Sequence, residues 1–541
     1  MAQHSDDTRK TISGIPLKPL YGVQDLPEGQ IEAVAAGPGA APYVRGAYPG
    51  MYRTKPWRIF QISGFGNPED ESERIKFLLS QGENGFIMEH DRTCDHLYDV
   101  DHPEVLARRE DVGLTGAVIM GVRDYETVLD GIPIEKTYGH PGGGAVQHGP
   151  FALSCYWTVA KRRGLDLSRL AGTGQSDYFL TYLGCLNKQQ VPTDAGLRFN
   201  SDIIEFCAEH MPRWVPVSIA GYNGAESGLN AFEELGALFA NAVAYLDDIK
   251  RRGRVPIEVA AQGVGGVSFR VNMDFFEEIA KLRVGRKMWA DLLKSRYGVT
   301  DEKAARLRVH TLTAGSAMTY QQPMNNLVRG TLMALAGVLG GVQSQGVSGY
   351  DESLSVPSEH AHQMSVRIQQ ILQEETNLTA VADPLGGSYF VESLCAELEQ
   401  RAWSFFDEIE AQGGFLAVLD SGWLHERAHR NQYQSMAEMD AGERKVVGVT
   451  DFDHDVSPYE VDGFVGTTDA FDKATGRLKA LRRTRHRRAA ADATRDLEAA
   501  CCSDGNLMPA MMAAVDADVT LGEIGNLFRN IYGDWETPIM A

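Results

Sequence analysis

Carboxylates, imidazoles and a thiol crowd into one short run, FIMEHDRTCDH, which places Glu89, His90, Asp91, Cys94, Asp95 and His96 together, and His140 and His148 lie further on in YGHPGGGAVQH. Side chains of these types act as general acids and bases or ligate a divalent cation. Of this set, only Glu89, His90 and His140 fall at the ends of strand-like runs where they could converge. The others fall on loops, so no metal is assigned. Side chains alternate along a strand, so Glu89 and His90 should point opposite ways. Two glycine-rich runs, YGHPGGGAVQH and AAQGVGGVS, have neither a phosphate-loop Lys-Ser/Thr nor dinucleotide-binding spacing. They read as segments that reshape a channel, because glycine permits close backbone approach and unusual dihedrals.

These residues belong to a regular pattern. From about residue 42 to 350, short strand-like runs alternate with longer helical ones, as in parallel βαβ units. The strand candidates are RIFQI, FIMEH, KTYGH, RLAGTG, PVSIAG, PIEVAAQ, RVHTLT and GVQSQGV, with helices such as Asn230 to Ile249 and Asn272 to Tyr297 between them. Eight such units predict an α/β fold, a (β/α)8 TIM barrel, with an N-terminal extended arm over 1–41, the barrel over 42–400 and a helical C-terminal or linker region over 401–541. Chemistry in such a barrel sits at the C-terminal ends of the strands. Those ends are expected at Ile62, Glu89 and His90, His140, Gln175, Asn223, Gln262, Thr313 and Gln343.

The chain's net charge of −21 argues against nucleic acid or an anionic membrane as partner. Its seven cysteines at scattered spacings fit a reducing compartment better than a disulfide framework. No apolar run approaches the roughly 18 residues of a membrane helix, and the polar first 20 residues do not read as a signal peptide, so a cytoplasmic enzyme is expected. The basic stretch RLKALRRTRHRRAA, Arg477 to Ala490, reads as a solvated helix face or subunit contact.

The segment PYVRGAYPGMYRTKPWRIFQISGFGNPEDE, Pro42 to Glu71, resembles the opening of the large subunit of adenosylcobalamin-dependent acyl-CoA mutases, the methylmalonyl-CoA mutase family. It is most similar to the branch of 2-hydroxyisobutyryl-CoA and isobutyryl-CoA mutases. ADPLGGSYF, AGERKVVGVTDF and the closing CCSDGNLMPAMMAAVDADVTLGEIGNLFRNIYGDWETP extend the resemblance. The family's Asp-x-His-x-x-Gly segment, which carries the lower cobalamin ligand, does not occur in these 541 residues. The resemblance therefore implies a cobalamin-binding small subunit as partner, adenosylcobalamin as cofactor, held mainly by that subunit, and a dimer of heterodimers.

The resemblance also assigns residues. Tyr48, Met51, Lys55, Arg58, Gln343 and Ser344 would hold coenzyme A, Glu226 and Glu352 would face the cofactor, and Ile62, His90, His140, Gln175 and Cys185 would line the substrate pocket. Ile62 stands where methylmalonyl-CoA mutases carry a tyrosine, and Cys185 where they clamp the substrate carboxylate with an arginine. A thiol cannot supply that bidentate recognition. Glu89 aligns with an aspartate that holds a substrate hydroxyl. Asn223 replaces a histidine that bonds the thioester carbonyl; an amide donates a hydrogen bond but is no general acid. Glu89 and Asn223 are thus the candidate catalytic residues. The reading is a mutase large subunit that rearranges a short hydroxylated or branched acyl-CoA, not methylmalonyl-CoA. The alternatives are a barrel of this family recruited to another reaction with an altered or non-CoA substrate and without cobalamin, and a non-catalytic partner subunit.

Overall fold

The structure, a computed structural model, describes residues 9–184, 190–454 and 469–538. Among the described residues ten short strands form: β1 (Arg58–Ile59), β2 (Ile62–Ser63), β3 (Gly85–Met88), β4 (Tyr138–His140), β5 (Gly172–Thr173), β6 (Trp214–Val215), β7 (Ile219–Ala220), β8 (Gly266–Val271), β9 (Arg308–Thr313) and β10 (Ser344–Gly346). They form two parallel sheets, β1-β10-β9-β8-β7 and β2-β3-β4-β5-β6.

The two sheets are halves of one ring. β1 and β2 are a single strand broken at Phe60 and Gln61. β6 and β7 are another, broken at residues 216–218, where Pro216 has no N–H to give a ladder. Backbone bonds bridge both breaks: Phe60 N–H donates to Gln345 O at 3.4 Å, Gly174 N–H to Val215 O at 3.1 Å and Ser218 N–H to Gly174 O at 2.7 Å. Side chains fill in at the first break, with Gln61 N–H donating to Glu83 Oε1 at 2.9 Å and Gln61 Oε1 accepting from Val347 N–H at 3.0 Å. Ten short strands therefore make an eight-stranded parallel barrel with a helix after each strand.

Helix starts follow local chemistry. Asn67 and Asp70 form a capping box ahead of Pro68–Ser80, with Pro68 in its first turn. Asn230 and Glu233 do the same for Ala231–Arg252, which ends at Gly253 with φ 65°. Each box satisfies N–H groups that a helix start leaves free. One expected strand is a helix: PIEVAAQ lies in Ile257–Val264, and the sixth barrel strand is β8. Ile257, Ala260, Ala261 and Val264 fall at helical spacing, and the last three are buried, so the apolar stripe has period 3.6. Gln262 consequently lies on that helix and not at a strand end, where its Nε2 donates to Asp301.

The segment that follows the arm is tied to the barrel's outer helices. Arg286, buried in the helix Phe275–Tyr297, donates to the carbonyls of Tyr43, Val44 and Gly340 at 2.9, 2.9 and 2.7 Å. Asp383, from the ADPLGGSYF segment, accepts from Arg45 at 2.7 Å and from Arg283. The boundary expected at 400 falls inside one continuous helix, Tyr389–Ala411, which packs along Ala231–Arg252 and Phe275–Tyr297 of the barrel's outer layer. The basic stretch is a docking face: Arg477 binds Asp124 and Asn67, Arg482 binds Asp99 and Asp101, and Arg485 binds Glu523. The six described cysteines are free thiols. No helix among the described residues is long and apolar enough to cross a membrane.

Candidate active site

Most barrels of this architecture fill their axis with layers of branched side chains. This one keeps a cavity of about 290 Å³ along it. Ala171, Thr173, Ser218, Gly266, Ser268 and Ser344 on its wall are too small to meet across the axis. A Cβ on Gly266 would come within 2.6 Å of Val215, so glycine is required there. Strand periodicity explains most of the lining: along β9, Arg308, His310 and Leu312 face the cavity, which Val309 also touches, while Thr311 and Thr313 are buried on the other face. Thr313, an expected strand-end site residue, instead bonds Ser348 through Oγ1 and its carbonyl.

The two ends of the channel differ. At the N-terminal ends of the strands stand Arg58, Arg213 and Arg308 with Tyr48, Tyr138 and Gln343. The Arg58 guanidinium lies 4.6 Å from the Tyr138 ring centroid, and Arg306 stands over Tyr48. Exposed Lys55 adjoins them, and the Arg58 charge, followed by burial, holds its ammonium below the usual lysine range. A ring of guanidiniums in an otherwise acidic protein suits phosphate groups. Halfway along, the His310 ring stacks on Phe60 at 4.9 Å and 8°, and its Nδ1 lies 3.0 Å from Ser344 Oγ.

At the C-terminal end the wall is Ile62, Ile87, His140, Gln175, Ser218 and Leu312. Ile62 pairs in register with Ile87, and Ile87 with His140, so these three form one row. Glu89 follows Ile87 by two residues and shares its inward parity. Loss of hydration, then the charge of Asp95, pushes its carboxyl up to about 8. His140 is buried and its imidazole is held down to about 4, chiefly by burial. Gln175 Nε2 donates to Asn223 Oδ1 at 3.2 Å. On the outer rim, Glu226 accepts from Ser316 N–H and Oγ, both at 2.9 Å, with Arg270 at 3.5 Å. Glu352 lies beside Glu226 over Gly315; crowding away from water, then Asp351 and Glu226, raise its carboxyl to about 7.

Two further expected site residues lie elsewhere. His90 is behind the strand, with Nδ1 3.3 Å from His148 Nε2 and Nε2 3.4 Å from the Tyr125 hydroxyl. Met51 is buried off the channel, packed near Gly46, Gly341 and Arg286. Cys185 lies outside the described residues. Arg213, Arg308, Tyr138, Phe60, Ser268 and His310 were absent from the expected set; the alternation in RVHTLT was the signal for two of them. Among the described residues no cluster of three or more His, Cys, Asp or Glu could hold a metal ion.

Comparison with known proteins fits this architecture. The profile described as methylmalonyl-CoA mutase matches residues 10–534. The chain is 34% identical to the "2-hydroxyisobutanoyl-CoA mutase large subunit" of Aquincola tertiaricarbonis, covering 98% of this chain and 93% of that one. It is 33% identical to the "Methylmalonyl-CoA mutase" of Cereibacter sphaeroides, covering 97% and 73%, and 32% identical to the human mitochondrial methylmalonyl-CoA mutase, covering 97% and 68%. The chain belongs to the methylmalonyl-CoA mutase family of isomerases.

Proposed function

We propose that this chain is the substrate-binding large subunit of an adenosylcobalamin-dependent acyl-CoA mutase that rearranges a short hydroxylated or branched acyl-CoA. The observation that carries this reading is the channel, cationic at one end and small and mixed apolar–polar at the other. Coenzyme A would place its phosphates among Arg58, Arg213 and Arg308 and its thioester beside Ile62, His140, Gln175 and Asn223. Among the described residues no arginine or lysine lines the C-terminal end of the cavity, so a free carboxylate on the acyl group would lack a partner there. Glu89 suits a hydroxyl instead: a carboxyl at about 8 is mostly protonated at neutral pH and both donates and accepts.

The rim fits a large cofactor fringed with hydroxyls and amides. The carboxylates of Glu226 and Glu352 stand together above Gly315, 3.5 and 3.6 Å from where a Cβ would sit. When bound, adenosylcobalamin supplies the radical that starts a carbon-skeleton rearrangement. The residues of this chain hold the thioester, keep water from it and set the hydrogen bonds around the migrating group. A partner subunit that carries the cobalamin is supported by the "large subunit" of the Aquincola relative's name.

The test is turnover of 2-hydroxyisobutyryl-CoA, isobutyryl-CoA and methylmalonyl-CoA by the chain with adenosylcobalamin and a small subunit. Isomerisation of either of the first two supports the reading. Coenzyme A binding without isomerisation of any of them would favour a barrel recruited to other chemistry.

A further inference from the structure

We propose that His140 is a catalytic residue whose Nε2–H donates a hydrogen bond to the acyl carbonyl of the bound thioester. The proposal rests on the acyl-CoA reading above. His140 is the last residue of β4 and lies on the channel wall, 5% exposed. The N–H of Gly142 donates to its Nδ1 at 3.2 Å. A nitrogen that accepts carries no proton, so in the neutral ring the proton is on Nε2. That Nε2 is buried with no hydrogen-bond partner. A buried donor without an acceptor is costly and rare, and an acceptor arriving in the channel would relieve the cost.

The other donors of the channel are less well placed. Gln175 spends its Nε2 on Asn223 Oδ1. His310 Nε2 and Ser268 Oγ are also unpartnered, but each lies three residues before the end of its strand, deeper along the arm of an extended ligand. Of these buried unpartnered groups His140 alone stands at a strand's C-terminal end, where the chemistry of such barrels is placed; the other donor there, Asn223 Nδ2, is only half-buried and sits on the helix Gly221–Glu226 beyond β7.

The loop after His140 is held from behind. The Tyr125 hydroxyl donates to Pro141 O at 2.6 Å and lies 3.4 Å from His90 Nε2. His90 Nδ1 is 3.3 Å from His148 Nε2, and His148 Nδ1 is 2.8 Å from Asp95 Oδ1. Gly142 has φ 81°, and a Cβ there would lie 2.5 Å from the His90 ring. Only glycine lets the backbone turn its N–H onto His140 with His90 in place. The carboxylate–histidine cluster and the glycine run thus share one role: they aim a donor into the channel before the ligand arrives, and a donor fixed in advance is worth most.

The experiment is infrared difference spectroscopy of isobutyryl-CoA, ¹³C-labelled at the carbonyl, bound to the full chain and to His140→Phe and His140→Gln. Phenylalanine fills the ring volume without a donor, and glutamine carries an N–H close to the same place. The carbonyl stretch should be lowest in the wild type, rise in His140→Phe and be partly restored in His140→Gln. With partner subunit and cofactor supplied, turnover by His140→Phe should fall on the order of 10²-fold with little change in KM. If His140→Phe does not fold, the Gln and wild-type bands decide: a shift between them is expected, since an amide is the weaker donor. The same stretch in wild type and variants overturns the role of His140 while the acyl-CoA reading stands. No binding of the labelled thioester by the wild type overturns that reading and this proposal with it.

Discussion

Gln175 donates to Asn223 through a 3.2 Å bond between the two amides, and the Asn223 Nδ2 is left without a recorded partner among the described residues. A position with no general acid therefore still presents a donor at the channel's C-terminal end. Gln175→Leu should free Asn223 to turn, lowering turnover by roughly 5- to 13-fold, the scale of about 1–1.5 kcal/mol for one neutral hydrogen bond. Steady-state kinetics would check it, and unchanged turnover would detach the pair from catalysis.

Glu89 should read the hydroxyl of the substrate. Glu89→Ala should cost roughly 10- to 1000-fold on a hydroxylated thioester, or about 1.5–4 kcal/mol, and much less on isobutyryl-CoA. Equal losses on both would assign Glu89 to the scaffold.

The same residue gives a pH signature. Its folded carboxyl titrates near 8, and an unfolded glutamate near 4.3. Between these values the folded state keeps a proton that the unfolded state has released, so Glu89 lowers stability progressively as pH rises from about 4.5 to 8, and no further above that. Glu89→Gln removes the titration. Its Tm advantage over wild type should grow from pH 5 to pH 8, to roughly 1–3 °C. Parallel Tm curves would show that Glu89 titrates at an ordinary value.

Ile62 and a C-terminal wall with no arginine or lysine among its described residues predict discrimination. Methylmalonyl-CoA should turn over at least about 100-fold more slowly than the best hydroxyacyl-CoA, as expected for a missing carboxylate clamp. Direct competition between the two thioesters measures the ratio, and comparable rates would reveal a carboxylate partner elsewhere.

The guanidinium ring should recognise the nucleotide end. Arg58→Ala should weaken acyl-CoA binding by roughly 10- to 100-fold, about 1.5–3 kcal/mol for a charged hydrogen bond. It should leave an acyl-pantetheine, which has no phosphates, nearly unaffected. Calorimetry on both ligands separates the cases; equal weakening would mean that Arg58 acts through Tyr138 and the channel's shape.

Periodicity made much of the barrel legible. Seven of the eight strand runs carry the strands observed, because an inward–outward alternation such as His310-Thr311-Leu312 is written in neighbouring residues. PIEVAAQ failed because a short run of Ile, Val and Ala suits either period, and only the packing of Ala260, Ala261 and Val264 beneath the barrel chose the helix. Family motifs placed Ile62, Gln175, Asn223 and Glu226 around the channel's C-terminal end, since each sits just before or after a strand end whose position the chain itself sets. Tertiary structure alone decided the rest. His90 and Met51 carry suitable chemistry but turn away from the channel, because the direction of a side chain depends on which strands and helices flank it. The ring of Arg58, Arg213 and Arg308 joins residues up to 250 positions apart, and no local pattern encodes a charge cluster that forms only when the barrel closes. The unpartnered Nε2 of His140 is likewise a property of its surroundings, set by a Gly142 N–H, a Tyr125 hydroxyl and an open axis that meet only in the folded chain.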